Sequence, residues 1–185
     1  MDAIGLVFYP PSPRNVDIDQ ALAIVEALPA FTSVVGLFVD EQEPRIREVL
    51  SRVSIDCLQF HGDEPPEACE LYKKPYIKAI SMRQGVDIAD LAKRYSGAAG
   101  LLLDAYHPGV KGGSGNRFDW DLIPQDCAKP IILAGGLEPG NARQAIESVG
   151  PYALDVSSGV ESEKGIKDAD KMAAFIRIIN EGNRS

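Results

Sequence analysis

A chain of 185 residues with 45% hydrophobic and 25% charged side chains can bury one core and is too apolar for a disordered polymer. Its formal net charge of −8 excludes a broad pull on nucleic acid or anionic lipid, so neither nucleic acid nor membrane is an expected partner, and an anionic ligand must be caught by local cations or backbone N–H groups. No run of about 18 apolar residues and no leader pattern is present, and Cys57, Cys69 and Cys127 lack metal-ligand spacing, so the expectation is a cytoplasmic protein with reduced thiols and no metal.

Residues 3–9 (AIGLVFY) read as the first strand. Asp17 then stands before an apolar-periodic stretch, DIDQALAIVEAL, which Pro29 stops, so a helix is expected between them. Residues 34–39 (VVGLFV) form the second strand and 44–52 the next helix. The pattern repeats with a strand at 57–61 (CLQFH), a helix at 65–72, a strand at 76–80 (YIKAI) and a helix at 86–95. Strands follow at 100–104 (GLLLD) and 131–134 (IILA), then a helix at 139–149 and a strand at 153–156 (ALDV). Pro44, Pro65 and Pro139 each suit a first helical turn. Asp168 opens a last helix, DADKMAAFIRIIN, with Met172, Phe175, Ile176 and Ile179 on one face.

Most of these strands are continuously apolar rather than alternating, as parallel strands covered on both faces are. Seven strands alternating with helices predict repeated βαβ units. No linker or composition shift divides the chain, so residues 1–185 read as one domain. A doubly wound open sheet and a (βα)8 barrel both fit. No G-x-G-x-x-G follows the first strand, which weakens the dinucleotide-binding version.

Barrel chemistry gathers where strands end, and the strand ends here carry unusual residues. Gly112-Gly113-Ser114-Gly115, Gly135-Gly136 and Ser157-Ser158-Gly159 follow three of the last strands. Glycine lets backbone N–H groups approach an anion closely, and two consecutive loops of this kind favour phosphate binding over ordinary turns. Asp104 closes an otherwise apolar strand, a costly place for a carboxylate unless it is paired or opens into a functional mouth. His61 ends CLQFH and suits either proton traffic or a hydrogen-bonded rim position. Arg14 lies in a loop stiffened by Pro10, Pro11 and Pro13, where a guanidinium can grip a carboxylate; a solvated surface arginine is the plainer reading. Asp155, inside the last strand, reads as structural.

Taken in order, GLVFYPPSPR, LQFHGDE, LLLDA, GGSG…FDW, LAGGLEPGN and DVSSGVE…GIKD resemble the phosphoribosylanthranilate isomerase family across essentially the whole chain. The resemblance implies a TIM barrel and an enzyme of tryptophan biosynthesis, an isomerase of the aldose–ketose type. Its reaction is the Amadori rearrangement of N-(5′-phosphoribosyl)anthranilate, a small phosphorylated substrate, with no cofactor. Carried over by motif, Asp104 is the general acid and Arg14 holds the anthranilate carboxylate. His61 lines the mouth. Gly135, Gly136, Ser158 and Gly159, with Gly113, Ser114 and Gly115 nearby, hold the phosphate.

One departure from the family pattern shapes further expectations. The family opens on a strand with a Lys-Ile-Cys-Gly-Ile-Thr-like motif whose cysteine is the general base; here Met1-Asp2 runs directly into the GLVFYP strand. The resemblance therefore predicts a truncated (βα)8 barrel lacking its first βα unit, with little or no activity, and self-association through an open barrel edge. Cys57 lies four residues before His61 in one strand, roughly 13 Å deeper at ~3.3 Å per residue. Cys69 falls in a helix and Cys127 before a strand, so His61 is the remaining, poorly suited, candidate base. Two other classes stay in view: another sugar-phosphate barrel enzyme, and a noncatalytic phosphate-binding remnant.

Overall fold

A computed structural model describes residues 2–105, 118–124 and 126–182. They form two compact units. The first runs to Ala79 and adds Gly97–Ala99; the second holds Ile80–Ser96 and continues from Gly100.

In the first unit, β1 (Ala3–Val7), β2 (Ser33–Phe38) and β3 (Cys57–Phe60) pair in parallel, and β3 pairs with the start of β4 (Tyr76–Met82). Helices α1 (Ile18–Glu26), α2 (Glu43–Arg52) and the short α3 (Pro66–Cys69) alternate with them. Asp17 caps α1 through a reciprocal pair: its carboxylate accepts from Gln20 N at 2.8 Å, and Gln20 Oε1 accepts from Asp17 N at 2.9 Å. The helix ends two residues before Pro29, at a cap on Ala27. Pro44 and Pro66 occupy first-turn positions. Burial of Leu6, Val34, Phe38, Leu58 and Phe60 on the strands, and of Ile46 and Val49 on α2, makes the core. The rings of Phe8 and Phe38 stack with centroids 5.3 Å apart.

In the second unit, α4 (Ile88–Arg94) leads to β5 (Gly100–Ala105), which pairs in parallel with β6 (Ile131–Leu133), and β6 with β7 (Ala153–Leu154). Leu101, Leu102, Leu103 and Leu133 are all buried. Consecutive buried residues are possible only where both faces of a strand are covered, the condition of parallel βαβ architecture. Helices α5 (Ala142–Val149) and α6 (Ala169–Gly182) complete the unit, and Asp168 caps α6 by accepting from Lys171 N at 2.9 Å.

All seven expected strands are present among the described residues, and the fold is of the α/β TIM type. Three details differ from expectation. Helix α5 starts at Ala142, so Pro139 lies in the preceding loop, held there by the buried Asn141. Strand β7 ends at Leu154, so Asp155 lies just past it rather than inside it, with its N–H donating to Leu133 O at 2.8 Å. An antiparallel hairpin, β8 (Glu161–Glu163) with β9 (Ile166–Lys167), follows β7; its strands are too short and polar to leave a periodic signal. No helix among the described residues is long and apolar enough to cross a membrane.

Candidate functional site

Two of the singled-out side chains belong to the first unit. The β1–α1 loop folds back on its own strand: Ser12 N donates to Tyr9 O at 2.8 Å, Val16 N donates to Val7 O at 2.9 Å, and Asn15 bridges to Val7. This places the half-buried Arg14 at the C-terminal end of β1, its N–H donating to Ser12 Oγ at 3.1 Å. His61 follows the last residue of β3, with its N–H donating to Phe38 O at 2.9 Å. The buried Gln59 contacts the ring, Nε2 to Nδ1, at 3.1 Å. This contact orients the ring at the end of β3.

The loop that follows His61 is anchored by a buried ion pair that sequence reasoning passed over. Lys78, on β4, donates to Glu64 Oε2 at 2.9 Å, to Gly62 O at 2.6 Å and to Phe60 O at 3.2 Å. Glu64 also accepts from Asp40 N at 2.8 Å and from Gly62 N at 2.9 Å. The signal was available: a lysine inside the apolar run YIKAI, and a glutamate in the motif LQFHGDE.

The second unit gathers the remaining predicted residues. Asp104 is buried on β5, and its Oδ1 accepts from Ala105 N at 2.8 Å. Past β6 the chain turns through Gly135 and Gly136, with φ of 80° and 64°, a region that strains other residues. A Cβ on Gly135 would lie 2.8 Å from Asp104 Oδ1 and 2.5 Å from Ala105 N. The loop therefore rests directly on the carboxylate. Asn141 holds its shape, donating from Nδ2 to Gly136 O at 2.8 Å and accepting at Oδ1 from Glu138 N at 3.0 Å.

The loop after β7 meets the loop after β6. A Cβ on Gly159 would be 1.8 Å from Leu137 O, so only glycine allows the two backbones to come so close. Packing contacts thus link Asp104 to the Gly135-Gly136 loop, and that loop to the Ser158-Gly159 turn, within the second unit. Gly113, Ser114 and Gly115 lie outside the described residues. Beneath the β7 loop, Lys167 donates to Ser157 O at 2.9 Å and pairs with the buried Glu161 at 3.1 Å.

None of the cysteines closes a strand, although Cys69 Sγ lies 3.9 Å from Glu64 O in the loop after β3. Cys57 begins β3, Cys69 is buried in α3, and Cys127 precedes β6. Burial, with help from Asp56, pushes the Cys57 thiol up to about 11. Burial pushes the Cys69 thiol up to about 12 against the opposing pull of Lys78. Both are protonated at neutral pH and are poor bases or nucleophiles. Among the described residues, no group of three or more His, Cys, Asp or Glu is placed to hold a metal.

Parallel βα units with a buried carboxylate and glycine loops at their strand ends define a TIM-type protein equipped to handle an anionic small molecule. A family model described as N-(5′-phosphoribosyl)anthranilate (PRA) isomerase matches residues 1–178, and the chain belongs to that family. It is 57% identical over 179 residues to the N-(5′-phosphoribosyl)anthranilate isomerase of Azotobacter vinelandii, covering 97% of this chain and 87% of the relative. The crystal structure of phosphoribosyl anthranilate isomerase from Thermotoga maritima superposes with a TM-score of 0.87 at 39% identity, covering 97% of this chain and 88% of that one. A second crystal structure, of a phosphoribosyl anthranilate isomerase in complex with reduced 1-(o-carboxyphenylamino)-1-deoxyribulose 5-phosphate, matches with a TM-score of 0.84 at 38% identity and the same coverage.

Proposed function

We propose that this chain acts on N-(5′-phosphoribosyl)anthranilate and catalyses its Amadori rearrangement to 1-(2-carboxyphenylamino)-1-deoxyribulose 5-phosphate, a step of tryptophan biosynthesis. The observation that carries the site assignment is the contact between the Gly135 backbone and the Asp104 carboxylate, which sets an acid beside a loop suited to phosphate.

In the reaction, Asp104 gives a proton to the ribose ring oxygen as the C1′–O bond breaks. The anilino nitrogen lone pair forms the Schiff base. Transfer of the C2′ proton to water returns that electron pair to nitrogen as an enolamine, which tautomerises to the ketone. The change is an internal shift of hydrogen, so no external oxidant or reductant enters. Arg14 takes the anthranilate carboxylate, for which a planar guanidinium is geometrically matched. The backbone N–H groups of Gly135, Gly136, Ser158 and Gly159 take the phosphate.

His61, at the end of β3, lines the mouth. The family's base is a cysteine in a Lys-Ile-Cys-Gly-Ile-Thr-like motif. Cys57, Cys69 and Cys127 stand in no such motif, and the proposal gives none of them that role.

The test follows the loss of anthranilate-adduct fluorescence with purified protein, alongside Asp104→Asn. Turnover that falls about 10²–10⁴-fold in Asp104→Asn supports the acid assignment; an unchanged rate overturns it.

A further inference from the structure

We infer that Lys167 is a positioning residue for phosphate recognition, acting through the Ser157–Ser158 peptide; this rests on the reading of the Ser158-Gly159 loop as a phosphate site. Lys167 closes the β8–β9 hairpin that follows that loop. Its ammonium folds back beneath the loop, donating to Ser157 O at 2.9 Å and lying 3.4 Å from Ser157 Oγ. In a planar trans peptide the C=O and N–H point in opposite directions. An ammonium held on the Ser157 carbonyl therefore fixes the Ser158 N–H on the opposite side of the same peptide. It also polarises that N–H, making it a better donor to an anion.

Charge gives a second reason. Glu161 is buried two residues beyond Gly159, and a bare carboxylate there would repel a phosphate at the loop. Lys167 lies 3.1 Å from Glu161 Oε1 and neutralises it, while Lys171 donates to Glu161 O at 2.7 Å. The hairpin serves as the short arm that returns a cation to the loop its own chain has just left. In a chain of net charge −8, the pairing removes one local repulsion that would add to the overall field.

The experiment measures the affinity of the purified chain for reduced 1-(o-carboxyphenylamino)-1-deoxyribulose 5-phosphate and, separately, for inorganic phosphate, by titration calorimetry at low and high salt. Lys167→Met is expected to weaken both about tenfold, the scale of one charge-assisted hydrogen bond. The loss should be smaller at high salt, where the repulsion from the uncompensated Glu161 is screened. Lys167→Arg, which keeps the charge, should recover most of the loss. The lysine side chain is 42% exposed, so the variants should fold. Lys167→Gln, with the melting temperature recorded for each variant, provides a second neutral replacement if Lys167→Met does not fold. Wild-type binding of both probes with variants bound equally well, within twofold, would overturn the role of Lys167 alone. A wild-type chain that binds neither probe would overturn the phosphate-loop reading beneath it.

Discussion

Lys78 Nζ lies 2.9 Å from Glu64 Oε2, and the two side chains are only 3% and 8% exposed. Every donor of the ammonium has an acceptor in Glu64, Gly62 or Phe60. Its partner carboxylate binds backbone N–H groups of both Asp40 and Gly62, so one ion pair ties together the loops after β2 and β3. A buried pair of this kind adds little net stability, yet breaking it strands a charge. Glu64→Gln should destabilise by about 3 kcal/mol or more, and adding Lys78→Met to it should cost less than Lys78→Met costs alone. Urea unfolding of wild type, the two single variants and the double variant decides it; strictly additive losses would contradict the account.

Gly135 makes the opposite kind of demand, for the absence of a side chain. Its φ of 80° and the 2.8 Å that would separate an added Cβ from Asp104 Oδ1 both act against Gly135→Ala. The left-handed conformation alone costs about 1 kcal/mol or more, and the clash must also displace the carboxylate. The expected outcome is a lower melting temperature together with weaker binding of the reduced product analogue. Unchanged binding would mean that the loop does not depend on the carboxylate contact.

Asn141 is buried, with its amide hydrogen-bonded at both ends to the loop of Gly136 and Glu138. Asn141→Ala leaves a backbone C=O and a backbone N–H without these partners, a loss of about 2 kcal/mol or more. Asn141→Asp keeps the acceptor for Glu138 N but turns the donor to Gly136 O into an oxygen. It should fall between alanine and wild type in thermal stability. A stability equal to wild type in both variants would show that Asn141 does not hold the loop.

The cysteines predict a pH dependence. The folded chain raises the Cys57 and Cys69 thiols from the ordinary 9.0 to about 11 and about 12. A raised value means the folded state holds the proton more tightly. The associated stability is fully present below pH 9 and is lost as pH climbs toward 11 and 12, by at most about 1.4 kcal/mol per pH unit per thiol. Denaturation midpoints between pH 8.5 and 11 should fall, and Cys69→Ala should flatten the fall. At about pH 8 both thiols should resist iodoacetamide until urea unfolds the chain; rapid native alkylation of Cys69 would refute its protection.

The strand order and the helix caps at Asp17 and Asp168 could be read from the sequence, as could the placement of Asp104 and the glycine turns of Gly135-Gly136 at strand ends. Each rests on local chemistry: continuous apolar runs, carboxylates before helices, and a charge closing GLLLD. The motif order also carried the family. Pro139 misled because a proline permits a helix start without requiring one, and the loop that the Asn141 side chain ties together runs on to a start at Ala142. The Lys78–Glu64 pair joins residues 14 apart in sequence, and no periodicity encodes that meeting. The approach of Gly159 to Leu137 and of Gly135 to Asp104 was likewise decided by tertiary packing. The sequence by itself determined which groups stand at the strand ends, because strand and turn propensities act over a few residues. Only the folded chain decided which of those groups touch, because contact between loops depends on how parallel strands place residues that are distant along the chain.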